Sequence, residues 1–188
     1  FVDDMFTLQR KWVMEFCAEM QRQGLVMPFY LIGRAETLDR TLLEALKAAG
    51  CYRIYVSAES GSQKVLDAME KGTDLAEIYR AAATMREVGI ELGIFVMLGY
   101  PGENRHDVVA TVRMIRKLAP AVTLVSVAHP MKGTRFYDEV REEITGNHGG
   151  RLLFRMARSP RYYEAAQRLI WAEQGLRKKS WKIGRAHV

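Results

Sequence analysis

Residues 54–72 read IYVSAESGSQKVLDAMEKG, and residues 94–103 read IFVMLGYPGE. Each stretch opens on an apolar run with the length and β-branched content of a fully buried parallel strand. Each then breaks into a loop of small, turn-forming and acidic residues ahead of an amphipathic helical pattern. Loops leaving the carboxyl ends of such strands are where α/β proteins place ligands. The alternation continues on both sides. A strand is predicted at 1–4 and a helix at 7–23, with Leu8, Trp12, Val13, Phe16 and Met20 on one stripe and Gly24 as its stop. A strand at 29–33 and a helix at 38–49, closed by Gly50, come next. Beyond them lie a strand at 52–58, helices at 62–70 and 74–88, a strand at 90–98, a helix at 105–118, a strand at 122–128 and a helix at 134–144. Crossover helices of this length force parallel strands joined by right-handed connections. The fold class is therefore α/β, a βα barrel or an open sheet covered by helices.

The 188 residues can bury one sizeable core, and 48% hydrophobic with 27% charged residues is ordinary for a globular protein. No apolar run approaches the roughly 18–20 residues of a membrane span, and there is no secretory signal. With two cysteines, Cys17 and Cys51, a disulfide framework is excluded, and a reducing cytoplasm is the expected compartment. Phe1-Val2-Asp3-Asp4 reads as a strand that begins without a methionine. Residues 183–188 match the translation of a common sequencing adapter and are set aside as a scar. The chain is expected to be a fragment, with a core at 1–145 and a basic, aromatic helical segment at 146–182, divided at Thr145-Gly146-Asn147-His148-Gly149-Gly150.

Charge is uneven. Residues 151–188 hold ten Lys and Arg against two Asp and Glu, whereas residues 1–150 carry a net charge of −2. Interleaved with Phe154, Tyr162, Tyr163, Trp171 and Trp181, those bases could neutralise phosphates and stack on bases. The reading preferred here is an amphipathic helix with a solvated basic face and its aromatics packed on the barrel or on a missing partner segment.

If the strands are parallel, one rim gathers Asp3 and Asp4; Arg34 and Glu36; Ser57, Glu59 and Ser60; Gly99, Tyr100, Gly102 and Glu103; and His129, Lys132 and Thr134. Carboxylates, a guanidinium, hydroxyls and exposed backbone suit a zwitterionic, hydroxyl-bearing ligand. Acids would meet an amine and a ribose, a base a carboxylate, and backbone at Gly99 a purine edge.

The ordered segments FVDDMFT, RAETLDxxLLxxLKAAGC, SAESGSQxVLDAMxKG, LGYPGE and HPMKGTRFY together resemble the radical S-adenosylmethionine superfamily. The likeness is strongest to the branch whose members often carry an upstream cobalamin-binding domain, and it covers residues 1–140. It implies a partial (βα)6 TIM-like barrel that lacks its first βα unit here and ends in a helical basic tail. It further implies S-adenosylmethionine and a [4Fe-4S] cluster as cofactors, cobalamin as a further one, an electron donor such as flavodoxin or ferredoxin, and a small-molecule or lipid substrate. Nucleic acid is not expected as a partner. In the family, a CxxxCxxC loop holds the cluster, which reductively cleaves S-adenosylmethionine to a 5′-deoxyadenosyl radical. This chain has no such loop. Cys17 and Cys51 stand 34 positions apart and cannot supply three ligands, so each reads as a small buried hydrophobe and the chain alone is expected to be inactive.

By the same resemblance, Asp3 and Asp4 stand where the second strand presents polar groups to the methionine amine, although Asp is also a leading N-cap residue. Ser57 belongs to the rim set, and Glu59 and Ser60 match the fourth-strand contact with the ribose and methionyl end. The other reading of Glu59 and Ser60 is an Asx- or Ser/Thr-type turn before the helix. Lys71 stands where relatives often place a base near the carboxylate, or is simply a helix-end dipole partner. Arg34 faces either cofactor carboxylate or substrate. Gly99, Tyr100, Pro101 and Gly102 resemble the fifth-strand loop that lays backbone against adenine. His129, Pro130 and the following residues resemble a sixth-strand Pro-x-Pro-Gly-Thr segment in which Lys132 replaces the second proline. Met5, Met97 and Met131 read as core packing. Two other classes stay open: a metal-dependent lyase or hydrolase using Asp3, Asp4, Glu59 and His129, and a non-catalytic RNA-binding module acting through the tail.

Overall fold

The computed structural model describes residues 5–148, 151–156 and 158–184. A 3-10 turn at Phe6–Leu8 precedes α1 (Arg10–Arg22), β1 (Phe29–Gly33), α2 (Arg40–Ala48), β2 (Cys51–Glu59), α3 (Gln63–Ala68) and α4 (Leu75–Val88). Then come β3 (Glu91–Leu98), α5 (Arg105–Leu118), β4 (Val122–Val127), α6 (Arg135–Val140), β5 (Ile144–His148), β6 (Arg151–Phe154) and α7 (Pro160–Gly184). The first four strands form one sheet in the order β1-β2-β3-β4, every pair parallel. This is the α/β arrangement expected, as a partial barrel. The strand expected at 1–4 lies outside the described residues.

Local chemistry fixes the helix ends. Asp74 and Glu77 form a capping box at the start of α4, which ends at Gly89 with φ 79°, a left-handed geometry that glycine adopts without strain. Asn104 and Asp107 form the same box on α5. Leu42, Leu43 and Leu46 of α2, Ile78 and Met85 of α4, and Met114 and Leu118 of α5 share one core with Leu31, Ile54, Val56, Ile94 and Val96 from one face of the sheet.

The opposite face departs from the expectation of strands buried on both sides. There Tyr30 is 46% exposed, and Tyr55, Ser57, Phe95 and Met97 are half-buried. Their rings run across the strands, with Tyr30 and Tyr55 at 5.8 Å and Tyr55 and Phe95 at 5.6 Å between centroids. All four crossover helices pack against the other face, so strand alternation leaves this one facing the open side of the partial barrel.

Three boundaries also differ. Thr7 belongs to the 3-10 turn and α1 starts at Arg10. Thr7 is buried instead, accepting a 3.3 Å hydrogen bond from Arg34 N and sharing a 2.7 Å one with Thr37. The helix expected to reach 144 stops at Val140, and the glycine-rich run after it is not a linker: Ile144–His148 pairs antiparallel with Arg151–Phe154. Phe154 from this hairpin packs on Ala128 and Val140.

The tail is docked. Helix α7 lies along β4, the edge strand, and buries Tyr163 and Ile170 in the main core. Gln167 Nε2 donates to the Val125 carbonyl at 2.5 Å, and Gln174 bonds Thr123 Oγ1, so side chains of α7 occupy an edge that would otherwise be open to pairing. Gln167→Ala is expected to cost about 1 kcal/mol, seen as a fall of roughly 2–4 °C in Tm by calorimetry. Phe154 and Tyr163 are buried, as the packed-aromatic reading of the tail expects, whereas Trp171 is 48% exposed. No helix among the described residues is long and apolar enough to cross a membrane.

Candidate functional site

The site forms where β2 ends. The ladder to β3 shifts register between Ser57 and Glu59, and Glu59 takes φ 51°, a left-handed conformation that costs a non-glycine residue of order 1 kcal/mol. The bulge re-aims Glu59: its carboxylate, on a residue only 8% exposed, meets Lys71 Nζ at 3.0 Å. Lys71 in turn accepts a 3.1 Å hydrogen bond at its carbonyl from Arg34 Nη2, and Arg34 Nε pairs with Glu36. The other oxygen of Glu36 is buried with no partner among the described residues. Acidic and basic groups thus alternate along the rim as Glu36, Arg34, Lys71 and Glu59.

Glu59 and Lys71 open into a cleft of about 360 Å³ whose other walls include Met97, Tyr100, His129 and Phe136. The Tyr100 and Phe136 rings lie 5.1 Å apart, and Tyr100 donates to the Ala68 carbonyl at 3.3 Å. Burial raises the Tyr100 phenol above its ordinary value, with nearby Glu139 adding to it, so the ring stays neutral. His129 Nδ1 lies 3.3 Å from the Val127 carbonyl. Arg34 and Ser57 line an adjoining recess of about 80 Å³ that shares Lys71 with the cleft.

The structure therefore brings together Arg34, Ser57, Glu59, Lys71, Tyr100 and His129. It does not bring in the rest. Ser60 is fully buried and shares a hydrogen bond with Thr111 Oγ1 at 3.2 Å while accepting from Ser62 N at 3.1 Å, the turn-closing alternative. Gly99, with φ 81°, donates its N–H to Glu103 Oε2 at 2.5 Å and turns its α-carbon toward Met156 and Tyr163, so that N–H is not offered to a purine. Gly102 gives its carbonyl to Lys64 at 2.9 Å, and neither it nor Pro101 nor the buried Pro130 lines the cleft. Asp3 and Asp4 lie outside the described residues. Met97 packs against the Ala128, Val140 and Phe154 cluster as expected and also walls the cleft, whereas Met131 is 59% exposed on the cleft wall and Met5 lines the small recess.

Sequence reading missed Glu70, Arg135 and Phe136. Arg135 pairs with Glu70 and, at 2.7 Å, with Glu139, which ties α6 to the loop after α3 and closes one side of the cleft. A signal was available: Thr134 is the N-cap of α6, so the next two residues start the helix at the rim.

Glu59 is an acceptor suited to hydroxyls or an ammonium, Lys71 and Arg34 are cations suited to a carboxylate, and Met97, Tyr100, Met131 and Phe136 offer apolar and aromatic surface to a planar base. The donor set fits S-adenosylmethionine. It does not fit an iron-sulfur cluster. Cys17 and Cys51 are both buried, and burial pushes their thiols up to about 11 and about 12, away from the thiolate a metal requires. Among the described residues no three His, Cys, Asp or Glu side chains come together around a possible ion, which leaves the metal-dependent lyase or hydrolase without a ligand set there.

The radical SAM superfamily matches residues 3–115, and the chain belongs to that superfamily. It is 30% identical over 139 residues to an uncharacterized methyltransferase of Pyrococcus horikoshii, covering 73% of this chain and 30% of that protein. It is 28% identical over 146 residues to the anaerobic magnesium-protoporphyrin IX monomethyl ester cyclase of Cereibacter sphaeroides, covering 76% of this chain and 24% of that one. The fold matches the radical S-adenosylmethionine methyltransferase TsrM of Kitasatospora setae, solved with cobalamin and a [4Fe-4S] cluster bound. That match has a TM-score of 0.67 at 22% identity and covers 75% of this chain and 29% of TsrM. Coproporphyrinogen III oxidase of Escherichia coli aligns with a TM-score of 0.65 at 15% identity, covering 87% of this chain and 37% of that one. The chain thus spans less than a third of the two curated relatives.

Proposed function

We propose that this chain supplies the S-adenosylmethionine-binding rim of a radical SAM enzyme whose [4Fe-4S] cluster is held by residues other than its own two cysteines. The observation that carries the proposal is the Glu59–Lys71 pair, held at 3.0 Å by a bulged, left-handed strand end on the wall of a cleft of nucleoside size. When bound, the cluster would supply one electron and S-adenosylmethionine the sulfonium group that accepts it. The residues of this chain bind and orient it. Glu59 accepts from the ribose hydroxyls or the ammonium, Lys71 with Arg34 faces the carboxylate, and Met97, Tyr100 and Phe136 flank the base. Arg135, anchored by Glu70 and Glu139, holds α6 so that the cleft keeps its width.

The whole protein would act with an electron donor such as flavodoxin or ferredoxin in a reducing compartment. Cobalamin dependence is part of the proposal, supported by TsrM, which was solved with cobalamin bound. The rim set is compatible with methyl transfer and with ring formation, the activities named for relatives.

Calorimetric titration with S-adenosylhomocysteine tests the binding step without the cluster. The folded chain is expected to bind it saturably, one per chain, with Glu59→Gln weakening the affinity at least tenfold, about 1.4 kcal/mol. Equal affinity in wild type and variant, or no binding by the folded chain, would remove the proposal.

A further inference from the structure

A second and larger cavity lies outside the rim. It occupies about 870 Å³ between the edge strand β4, the β5–β6 hairpin and the amino-terminal half of α7. Its walls divide by chemistry. Phe154 and Trp171, the latter 48% exposed, give it apolar and aromatic surface. Arg151, Arg155 and Arg158 bring three guanidinium groups against a single carboxylate, Glu164. All three arginines are exposed, and none is paired with a carboxylate among the described residues. By contrast Arg34 is paired with Glu36, Arg53 with Glu91, and Arg135 with Glu70 and Glu139. An uncompensated cluster of planar forks beside aromatic walls is the complement of a carboxylate on an apolar body, since arginine binds carboxylates through two parallel hydrogen bonds.

The cavity also has a fixed relation to the cleft. His129, the residue after which the β4 exit turns toward α6, lines both. A ligand held in the cavity therefore adjoins, at His129, the cleft lined by Glu59, Lys71 and Tyr100. The geometry points to this cavity as the substrate site, taking a small organic carboxylate with an apolar, preferably aromatic, body and adjoining the cleft at His129. This assignment rests on the reading of the cleft as the S-adenosylmethionine site. The arginines take the carboxylate, the aromatic wall takes the body, and His129 stands between the two ligands.

The probe is 1-naphthoate, titrated calorimetrically into the full chain beside its uncharged isostere 1-naphthalenemethanol and its phosphate counterpart 1-naphthyl phosphate. Naphthoate is expected to bind saturably at one site, the alcohol at least tenfold more weakly, and the Arg155→Gln/Arg158→Gln double variant to lose naphthoate affinity at least tenfold. Both arginines are exposed, so the variant is expected to keep its circular-dichroism spectrum and Tm. Trp171→Phe, which keeps an aromatic wall, is expected to retain naphthoate binding within about threefold, whereas Trp171→Ala loses more. Equal binding of alcohol and carboxylate, naphthoate affinity unchanged in the double variant, or a tenfold preference for the phosphate would each overturn the assignment. A parallel titration with S-adenosylhomocysteine separates the two claims. Loss of naphthoate binding while S-adenosylhomocysteine still binds sinks this inference alone, and the reverse result sinks the reading of the cleft.

Discussion

Glu103→Gln is expected to flatten the fall in stability that the wild-type chain shows between about pH 4.5 and pH 7. Glu103 is fully buried behind the β3 exit loop. One carboxylate oxygen accepts from Gly99 N at 2.5 Å and the other is buried without a partner among the described residues. Burial pushes the carboxyl from 4.5 up to about 7, with the Gly99 N–H working against the rise and the charge of Asp107 adding to it. Between those values the native state keeps a proton that the unfolded chain has released, so it binds more protons and its stability falls as pH rises. The contribution is complete below pH 4.5 and gone above pH 7, a span of about 3 kcal/mol. Glutamine cannot ionise, and its carbonyl can still accept from Gly99. Subtracting urea-melt profiles of variant and wild type at a series of pH values cancels the titration of all other groups. A difference that grows through pH 4.5–7 in favour of the variant is expected, and a flat difference would show that Glu103 is not held in this buried state. The consequence reaches α7, because the Glu103 charge also helps raise the Tyr163 phenol to about 12, after burial itself.

Gly61→Ala is expected to destabilise the chain by about 3 kcal/mol, roughly 6–12 °C in Tm, and to abolish S-adenosylhomocysteine binding. A β-carbon at position 61 would lie 2.6 Å from both the Ala110 carbonyl carbon and Thr111 Cα, and would collide with the Ala110 carbonyl oxygen. These are backbone atoms of α5 and cannot swing aside. The β2 exit must lift instead, breaking Gly61 N to Thr111 Oγ1 at 2.9 Å, Ser60 to Thr111 at 3.2 Å and Ser62 to Asp107 at 2.7 Å. Glu59 stands two residues back and moves with it. Gly146→Ala, where nothing lies within 4 Å of the added carbon, is the matched control and should change stability by less than about 0.5 kcal/mol. Thermal melts of the two variants beside wild type decide the matter, and equal melting of all three would contradict the close approach at Gly61.

These two positions also show where sequence is a good guide and where it stops. The apolar runs at 51–59 and 91–98 announce their strands because length, β-branching and the following caps agree, and the capping residues Asp74 and Asn104 set their helix starts. The pairing of Ile144–His148 with Arg151–Phe154 was hidden because Gly146 and Asn147 sit inside the first strand and make it read as a turn by composition. At the site, Glu59 was legible as a group leaving one rim, and Lys71 only through the family resemblance. Ser60 and Glu103 were read onto the same rim, but their direction is set by a register shift at Ser57–Glu59 and by positive φ at Gly99 and Gly102, which send one side chain onto α5 and fold the other back on its own loop. Periodicity counts residues along a strand, and it does not see a bulge that reverses them.

The central claim is that the rim cleft holds S-adenosylmethionine, and amide chemical-shift mapping of the ¹⁵N-labelled chain during titration with S-adenosylhomocysteine tests it most directly. The account predicts saturating shifts at Glu59, Lys71, Met97, Tyr100 and His129 with a common dissociation constant, and small ones on the Tyr30 and Tyr55 end of the sheet. Shifts confined to the tail, or scattered over the sheet without a common constant, would contradict it.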